Sequence, residues 1–416
     1  MLHKKILIIL LLLTGSLLIS CAQNSTMEVT TQDMSPYPNF VSDVSSVSYS
    51  FTPKDVMAPF WKGNVMMNET VLLIEDNGEI SGNLLYEPIE IIAVKDFSLQ
   101  TTFVEGSDYE VDGRRIRKLT ASTIPSLKKE NLTGQNIPEP YQRVNSIANV
   151  LTDYVLMGPN AVYTESPFWY GSQISVSYVY DFQDLNLDSF PGFAGNELPN
   201  TLQKLTSGES LRITGIGDSV LEGCSSSKKF NHEPYLDDFL TLTESGLEYY
   251  YDLDVTLNNL SVGGKTSLWG SSPSVINDIK NSNPDLVIIH FGINDAGDGA
   301  SPNSYRDNIE LIILSVRETL PNTEFILLTS FTPNPLVYDA IRLEDYWSRL
   351  NTLANNHTGV HVIDLYKASI EILAFKKYED VTGNGINHVN DFASRVYLMG
   401  ILSSLVSNET ILSKEE

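Results

Sequence analysis

The chain has 416 residues, enough for two domains or for one large domain with additions, and its 42% hydrophobic content permits sizeable cores. The formal net charge is −25, from 27 basic and 52 acidic residues. This acidity argues against a nucleic-acid partner and against attraction to anionic lipid headgroups. It is typical instead of a protein that stays soluble outside the cell.

The first residues have the layout of a secretory signal. Two lysines precede an apolar run over residues 6–13 that is too short to span a bilayer comfortably, and small residues follow. The sequence Leu-Ile-Ser-Cys at 18–21 resembles a bacterial lipobox, which implies cleavage after residue 20 and lipidation of Cys21. The alternative is a simple signal peptide with an incidental cysteine. We therefore expect an extracytoplasmic protein, anchored through Cys21 to a bacterial membrane at the cell surface or in the periplasm. Residues 21–46 are predicted to form a tether.

Residues 47–184 have the short alternating runs typical of β-strands. Turn signals such as Asp-Asn-Gly at 76–78 separate several of them, and helical periodicity is limited to residues 142–151. We expect a β-sandwich or jelly-roll-like accessory domain, followed by a connection over residues 185–210. The strands are predicted at 48–51, 70–74, 89–94 and 174–180.

Residues 211–416 change to alternating strands and helices, followed by a last amphipathic helix. Such alternation predicts a parallel sheet with helices on both faces, a three-layer α/β/α domain. The strands are predicted at 211–215, 254–257, 286–291, 325–329 and 360–364, and two of the helices at 305–319 and 344–355.

Residues that could take part in catalysis follow three of these strands. Gly-Asp-Ser ends the first at Ser219, a Gly-Gly pair ends at Gly264 after the second, and Gly-Ile-Asn ends at Asn294 after the third. A parallel sheet brings successive strand ends to one edge, so these residues are expected to lie together. His388 follows near the carboxyl terminus. Each feature alone also suits an ordinary turn or helix cap.

These four segments, in this order, resemble the SGNH (GDSL-type) hydrolase family. The resemblance implies that Ser219 is the nucleophile and His388 its general base. It also implies an oxyanion hole formed by the backbone N–H groups of Ser219 and Gly264 and the side-chain amide of Asn294. The chemistry agrees, since a serine hydroxyl needs a neighbouring imidazole to take its proton, and aligned donors stabilise the oxyanion that attack creates.

The segment before His388 departs from the family, which usually carries an aspartate there to orient the imidazole. The corresponding positions hold Asn384 and glycine. Three interpretations follow: a Ser–His dyad whose ring is held by Asn384 or a carbonyl, an acid supplied by Asp380 or Asp391 from a shifted position, or a protein with little or no activity.

The leading hypothesis is a serine esterase that removes O-acetyl groups from a carbohydrate, because the β-rich region resembles the accessory domains of carbohydrate esterases. A lipase or thioesterase acting on longer acyl chains is the alternative enzyme. A glycan-binding lipoprotein without catalysis is the alternative of another class. No cofactor is expected, and no metal, since Asp295 and Asp298 lack a ligand set of recognisable spacing. His290 is expected to be a packed core residue and Cys224 a buried filler.

Overall fold

The computed structural model describes residues 40–414 except 42, 45, 46, 182–185 and 225. All of them belong to one compact unit, Met34–Glu416. The predicted signal segment, Cys21 and most of the predicted tether lie outside the described residues. Across the part of the chain that is described, no helix has the length and apolar character needed to cross a membrane.

The first part of the chain is rich in β-structure, as predicted. Its strands are β1 Val65–Leu72, β2 Ile74–Asp76, β3 Glu79–Asn83, β4 Pro88–Asp96, β5 Thr102–Phe103, β6 Tyr109–Asp112, β7 Arg115–Lys118, β8 Leu127–Lys128, β9 Gln142–Arg143, β10 Asp153–Met157, β11 Ala161–Tyr163 and β12 Gln173–Tyr180. A short helix, α1 Pro53–Met57, precedes them.

These strands form three sheets. One has the order β1-β12-β4-β5 and is antiparallel, a second has the order β6-β7-β3-β2-β8, and a third has the order β11-β10-β9. β1 and β12 are buried along their whole length, which means that both faces of this strand pair are covered. Two expectations were wrong: residues 48–51 form no strand, and residues 142–151 form no helix but a short strand and a loop.

The second part has the predicted α/β/α architecture. A five-stranded parallel sheet has the order β14-β13-β15-β16-β17. Its strands are β13 Leu211–Gly217, β14 Val255–Asn259, β15 Leu286–His290, β16 Glu324–Leu328 and β17 Val360–Ile363. The helices are α2 Pro199–Ser207, α3 Phe239–Tyr251, α4 Ser267–Gly270, α5 Pro273–Asn281, α6 Ile293–Gly297, α7 Pro302–Arg317, α8 Ala340–Asn356, α9 Leu365–Leu373, α10 Asp391–Leu405 and α11 Asn408–Ser413.

Alternate strand residues pack on the two faces of this sheet. Leu286 and Ile288 of β15 belong to one hydrophobic core with α3 and α10, whereas Val287 and Ile289 belong to another with α5, α7 and α8. Period-two alternation explains this division, since successive side chains of a strand point to opposite faces. In the strand order, β14 and β15 lie on opposite sides of β13. The carboxyl end of β13 is therefore the switch point where open α/β sheets bind ligands.

Helix α10 connects the two parts of the molecule. The sequence predicts an amphipathic helix here, but residues 392–405 are buried on every side. The reason is that β-rich residues such as Val71 and Ile174 join the same core as α10. A helix covered all round needs no polar face. Its one cation, Arg395, is 2% exposed, and its guanidinium donates to backbone carbonyls, among them that of Met67 at 2.8 Å.

Candidate active site

Ser219 lies immediately beyond the carboxyl end of β13. The chain turns sharply here, and the residue at 217 must be small, because a Cβ there would lie 2.8 Å from the Cβ of Leu221. The turn is fixed by Asp218, whose Oδ1 accepts a hydrogen bond from the N–H of Val220 at 3.0 Å. Asp218 Oδ1 is also 3.0 Å from His290 Nδ1, and His290 is fully buried, as expected for a packed core histidine. Ser219 itself is 8% exposed.

His388 lies beside Ser219, on the loop between α9 and α10. Its Nε2 is 2.8 Å from the Oγ of Ser219. The structure thus brings together two residues that are 169 positions apart in the sequence. At this distance the imidazole can accept the serine proton, which is the geometry that a nucleophile and its general base require.

Asn384 shapes the turn that carries His388. Its Oδ1 accepts hydrogen bonds from the N–H groups of Ile386, Asn387 and His388, at 2.9, 3.0 and 3.0 Å. Its side chain therefore faces the backbone of its own loop and not the imidazole ring. Asn384 thus contacts the backbone N–H of His388 and makes no hydrogen bond to its ring among the described residues.

A carboxylate outside the predicted set of site residues lies on the other side of the ring. Glu165, in the loop between β11 and β12, has its Oε1 3.2 Å from His388 Nδ1. This is ion-pair distance, but the N–H is not aligned well enough for a hydrogen bond, and Nδ1 has no hydrogen-bond partner among the described residues. Hydrogen bonds of catalytic groups are often poorly aligned before substrate binds and tighten when it does.

Two further groups converge on the same oxygen of Glu165. The Nδ2 of Asn384 donates to Oε1 at 3.3 Å, and the hydroxyl of Tyr163 donates at 3.2 Å. Burial by itself would raise the pKa of Glu165, but the contacts with His388, Asn384 and Tyr163 outweigh it, so that the pKa is lowered from its ordinary value. The side chain is therefore ionised at neutral pH and places a negative charge beside the imidazole.

The loop that carries Gly264 passes beside Ser219. A Cβ on Gly263, the neighbour of Gly264, would be 3.6 Å from the Cβ of Ser219. Gly264 has a φ of +73° and faces open space. The Nδ2 of Asn294, in the first turn of α6, donates to the carbonyl of Lys265 at 2.9 Å, which ties the amide to this loop. Among the described residues, the N–H groups of Ser219 and Gly264 donate to no acceptor.

The arrangement agrees with what comparison with known proteins finds. Residues 216–393 match the GDSL-like Lipase/Acylhydrolase family. This match spans Ser219, Gly264, Asn294 and His388, and the α/β/α part of the chain that contains it is referred to as the hydrolase domain. No curated protein matches the chain.

Solved structures of esterases resemble the hydrolase domain at low identity. A two-domain esterase active on acetylated mannans is 19% identical with a TM-score of 0.41, and the match covers 55% of this chain and 56% of that one. An acetylxylan esterase from Geobacillus stearothermophilus is 18% identical with a TM-score of 0.39, covering 47% of this chain and 94% of that one. The chain thus matches little more than half the length of the two-domain esterase.

The two aspartates considered as substitute acids have other partners. Asp380 accepts hydrogen bonds from the N–H groups of Leu72 at 2.6 Å and Lys377 at 2.9 Å, so it attaches the loop of the hydrolase domain to β1. Asp391 accepts from the N–H of Ser227 at 2.9 Å. Among the described residues, no hydrogen bond or ion pair joins either carboxylate to His388. The expectation that either holds the imidazole is not met.

Glu165 could not be found from local sequence. It lies 219 residues before Asn384, in a region outside the family resemblance, and no motif surrounds it. The one available signal is indirect, namely the missing acid before His388. Within the described residues no group of three or more His, Cys, Asp or Glu side chains is placed to hold a metal ion.

Proposed function

We propose that the protein is a serine esterase that hydrolyses acyl esters, with Ser219 as nucleophile and His388 as general base. The observation that carries the proposal is the 2.8 Å contact between Ser219 Oγ and His388 Nε2 at the switch point of the sheet. The N–H groups of Ser219 and Gly264 and the amide of Asn294 are the proposed donors to the oxyanion. Removal of one such donor costs roughly 3–4 kcal/mol in comparable sites.

The reaction follows from these positions. As the Oγ of Ser219 attacks the acyl carbonyl, its proton passes to Nε2 of His388, and the carbonyl oxygen becomes the oxyanion. The imidazolium then protonates the departing alkoxide, which leaves an acyl-serine. A water then attacks the acyl carbon while Nε2 takes its proton, and the bond to Oγ breaks as Nε2 returns that proton to Oγ, which releases the acid and restores the serine.

The substrate class proposed here is an O-acetylated carbohydrate outside the cytoplasm. Its support is the resemblance to carbohydrate esterases in which a β-rich region precedes the hydrolase domain. Anchoring at Cys21 is part of the same proposal and rests on the lipobox-like sequence alone. Longer-chain esters are the alternative, and comparison of acetyl with octanoyl p-nitrophenyl esters separates the two. A clear preference for octanoyl would overturn the deacetylase proposal.

Labelling with a serine-directed fluorophosphonate tests the hydrolase chemistry itself. We expect the wild-type protein to label and Ser219→Ala not to label. Ser207→Ala, at an exposed serine that ends α2, is the matched control and should label like wild type. Folded wild-type protein that stays unlabelled would refute the esterase proposal in favour of glycan binding without catalysis. Labelling of Ser219→Ala would move the nucleophile elsewhere.

A further inference from the structure

We propose that Glu165 of the β-rich region is the positioning carboxylate of His388, so that the β-rich region completes the active site of the hydrolase domain. The inference rests on the proposed function, since it gives Glu165 a role in that reaction. It answers the question that the missing aspartate raises. It also means that the region before the hydrolase domain is a catalytic component and not a detachable accessory.

The first argument is proximity and burial. The Oε1 of Glu165 lies 3.2 Å from Nδ1, on the side of the ring opposite the 2.8 Å contact with Ser219. The side chains of Glu165 and His388 are only 14% and 11% exposed, so water screens the pair little. Serine, imidazole and carboxylate thus stand in the order that a catalytic triad requires.

The second argument is that the carboxylate is held in place. Its chain neighbours Thr164 and Ser166 are fully buried. The hydroxyl of Thr164 donates to the carbonyl of Asp153 on β10 at 2.8 Å, and the N–H of Thr164 donates to the carbonyl of Asn384 at 3.1 Å. The backbone around Glu165 is therefore bonded both to its own sheet and to the loop that carries His388.

The third argument is that the loop of the hydrolase domain cannot supply the acid at Gly385. That residue has a φ of +85°, which L-amino acids with a Cβ rarely adopt. A Cβ there would overlap the carbonyl oxygen of Val162 on β11 and would lie 2.6 Å from Trp169 Nε1. The β-rich region thus occupies the space that a side chain at 385 would need. Glu165 follows Val162 by three residues in the same stretch of chain.

The chemical role follows from charge. When the proton of Ser219 reaches Nε2, the imidazole becomes cationic, and an ionised carboxylate at Nδ1 stabilises it and fixes the tautomer. Glu165 keeps its own charge throughout and exchanges no proton. Three donors around the carboxylate, including Asn384 and Tyr163, hold its pKa below the ordinary value, which keeps it ionised for this purpose.

The test compares three full-length variants by kcat, KM and the pH dependence of kcat/KM on p-nitrophenyl acetate. For Glu165→Gln we expect kcat to fall roughly 10²- to 10⁴-fold with KM little changed, by analogy with other triads. The acid limb of the profile should move to lower pH, because a carboxylate no longer favours the charged imidazole. Glu165→Asp should recover part of kcat and keep the acid limb of wild type. Glu105→Gln, at an exposed carboxylate of the β-rich region, is the matched control and should match wild type.

Wild-type kcat with an unmoved acid limb in Glu165→Gln would overturn the inference. If that variant does not fold, as judged by its melting curve, Glu165→Asp decides: a reduced kcat with an unmoved acid limb supports the role, and full kcat overturns it. Fluorophosphonate labelling of the wild-type protein keeps the two proposals apart. If the wild-type protein labels but Glu165→Gln keeps the kcat and pH profile of wild type, only this inference is refuted. If the wild-type protein does not label, the esterase proposal is refuted.

Discussion

Replacing Asn384 by aspartate restores the acid that the family usually carries before the histidine, and we predict that it lowers activity. In a site with a vacant acid position the change would be neutral or beneficial. The structure predicts the opposite, because the Nδ2 of Asn384 lies 3.3 Å from Glu165 Oε1 and its Oδ1 is already used by three backbone N–H groups. The new carboxylate would face Glu165 and not Nδ1 of His388.

The size of the effect follows from that distance. Two unit charges 3.3 Å apart repel by about 5 kcal/mol at an effective dielectric constant of about 20. Repulsion of this size raises the pKa of the carboxylate pair, so that the pair holds one proton more readily than either carboxylate would alone. A proton shared between the two carboxylates spreads one negative charge over both, and we take the stabilisation of the imidazolium to weaken by about 1.5–3 kcal/mol, the worth of one hydrogen bond to a charged group. We expect kcat/KM of Asn384→Asp to fall by roughly 10- to 100-fold, since about 1.4 kcal/mol corresponds to a factor of ten.

The assay is p-nitrophenyl acetate hydrolysis at pH 7, with melting curves to show that the fold is intact. Asn387→Asp is the matched control, because it adds the same charge to the same loop and its carboxylate can still accept the 3.2 Å hydrogen bond from Asn384 Nδ2. Its loss should be much smaller. Unchanged or increased activity of folded Asn384→Asp would show that the carboxylate pair does not form, and it would argue against the contact between Asn384 and Glu165.

Two further changes probe the oxyanion donors and the pH dependence of stability. Asn294→Ala should lower kcat on the same ester roughly 10²- to 10³-fold with little effect on KM, and a loss below tenfold would argue against a donor role. Asp391→Asn should raise the melting temperature at pH 8 but not at pH 4. Burial raises the pKa of Asp391 from 3.8 to about 6, so its stabilising contribution is fully present below pH 3.8 and is lost as the pH rises through 6. The amide can still accept the hydrogen bond from Ser227, and equal shifts at both pH values would contradict this reasoning.

The sheet of the hydrolase domain could be predicted from the sequence because each strand is a short apolar run between recognisable turns. The predicted strand at 286–291, for example, corresponds to β15 Leu286–His290. The β-rich region was predicted less well, since short runs such as residues 48–51 satisfy an alternating pattern without finding a partner strand. The local sequence also did not predict the full burial of α10, because this burial depends on which surface covers the outer face of the helix.

Some residues of the candidate site could be predicted from the sequence and others could not. Ser219, Gly264 and Asn294 follow strands of one parallel sheet, and topology alone places them at a common edge. The partner of His388 depends instead on how two regions dock, and no spacing in the sequence encodes that.

Docking also explains why the usual acid is missing. The loop before His388 packs so closely on β11 and Trp169 that position 385 tolerates only a residue without a Cβ, while Asn384 is occupied in holding the turn. The absence of a carboxylate before His388 and the presence of Glu165 beside its ring therefore both follow from the packing of this loop on the β-rich region. A chain in which the β-rich region was merely tethered would lack both the constraint on Gly385 and the replacement for the acid. The missing aspartate before His388 suggested an impaired enzyme. In the folded protein, the β-rich region packs at that position and places Glu165 beside the imidazole.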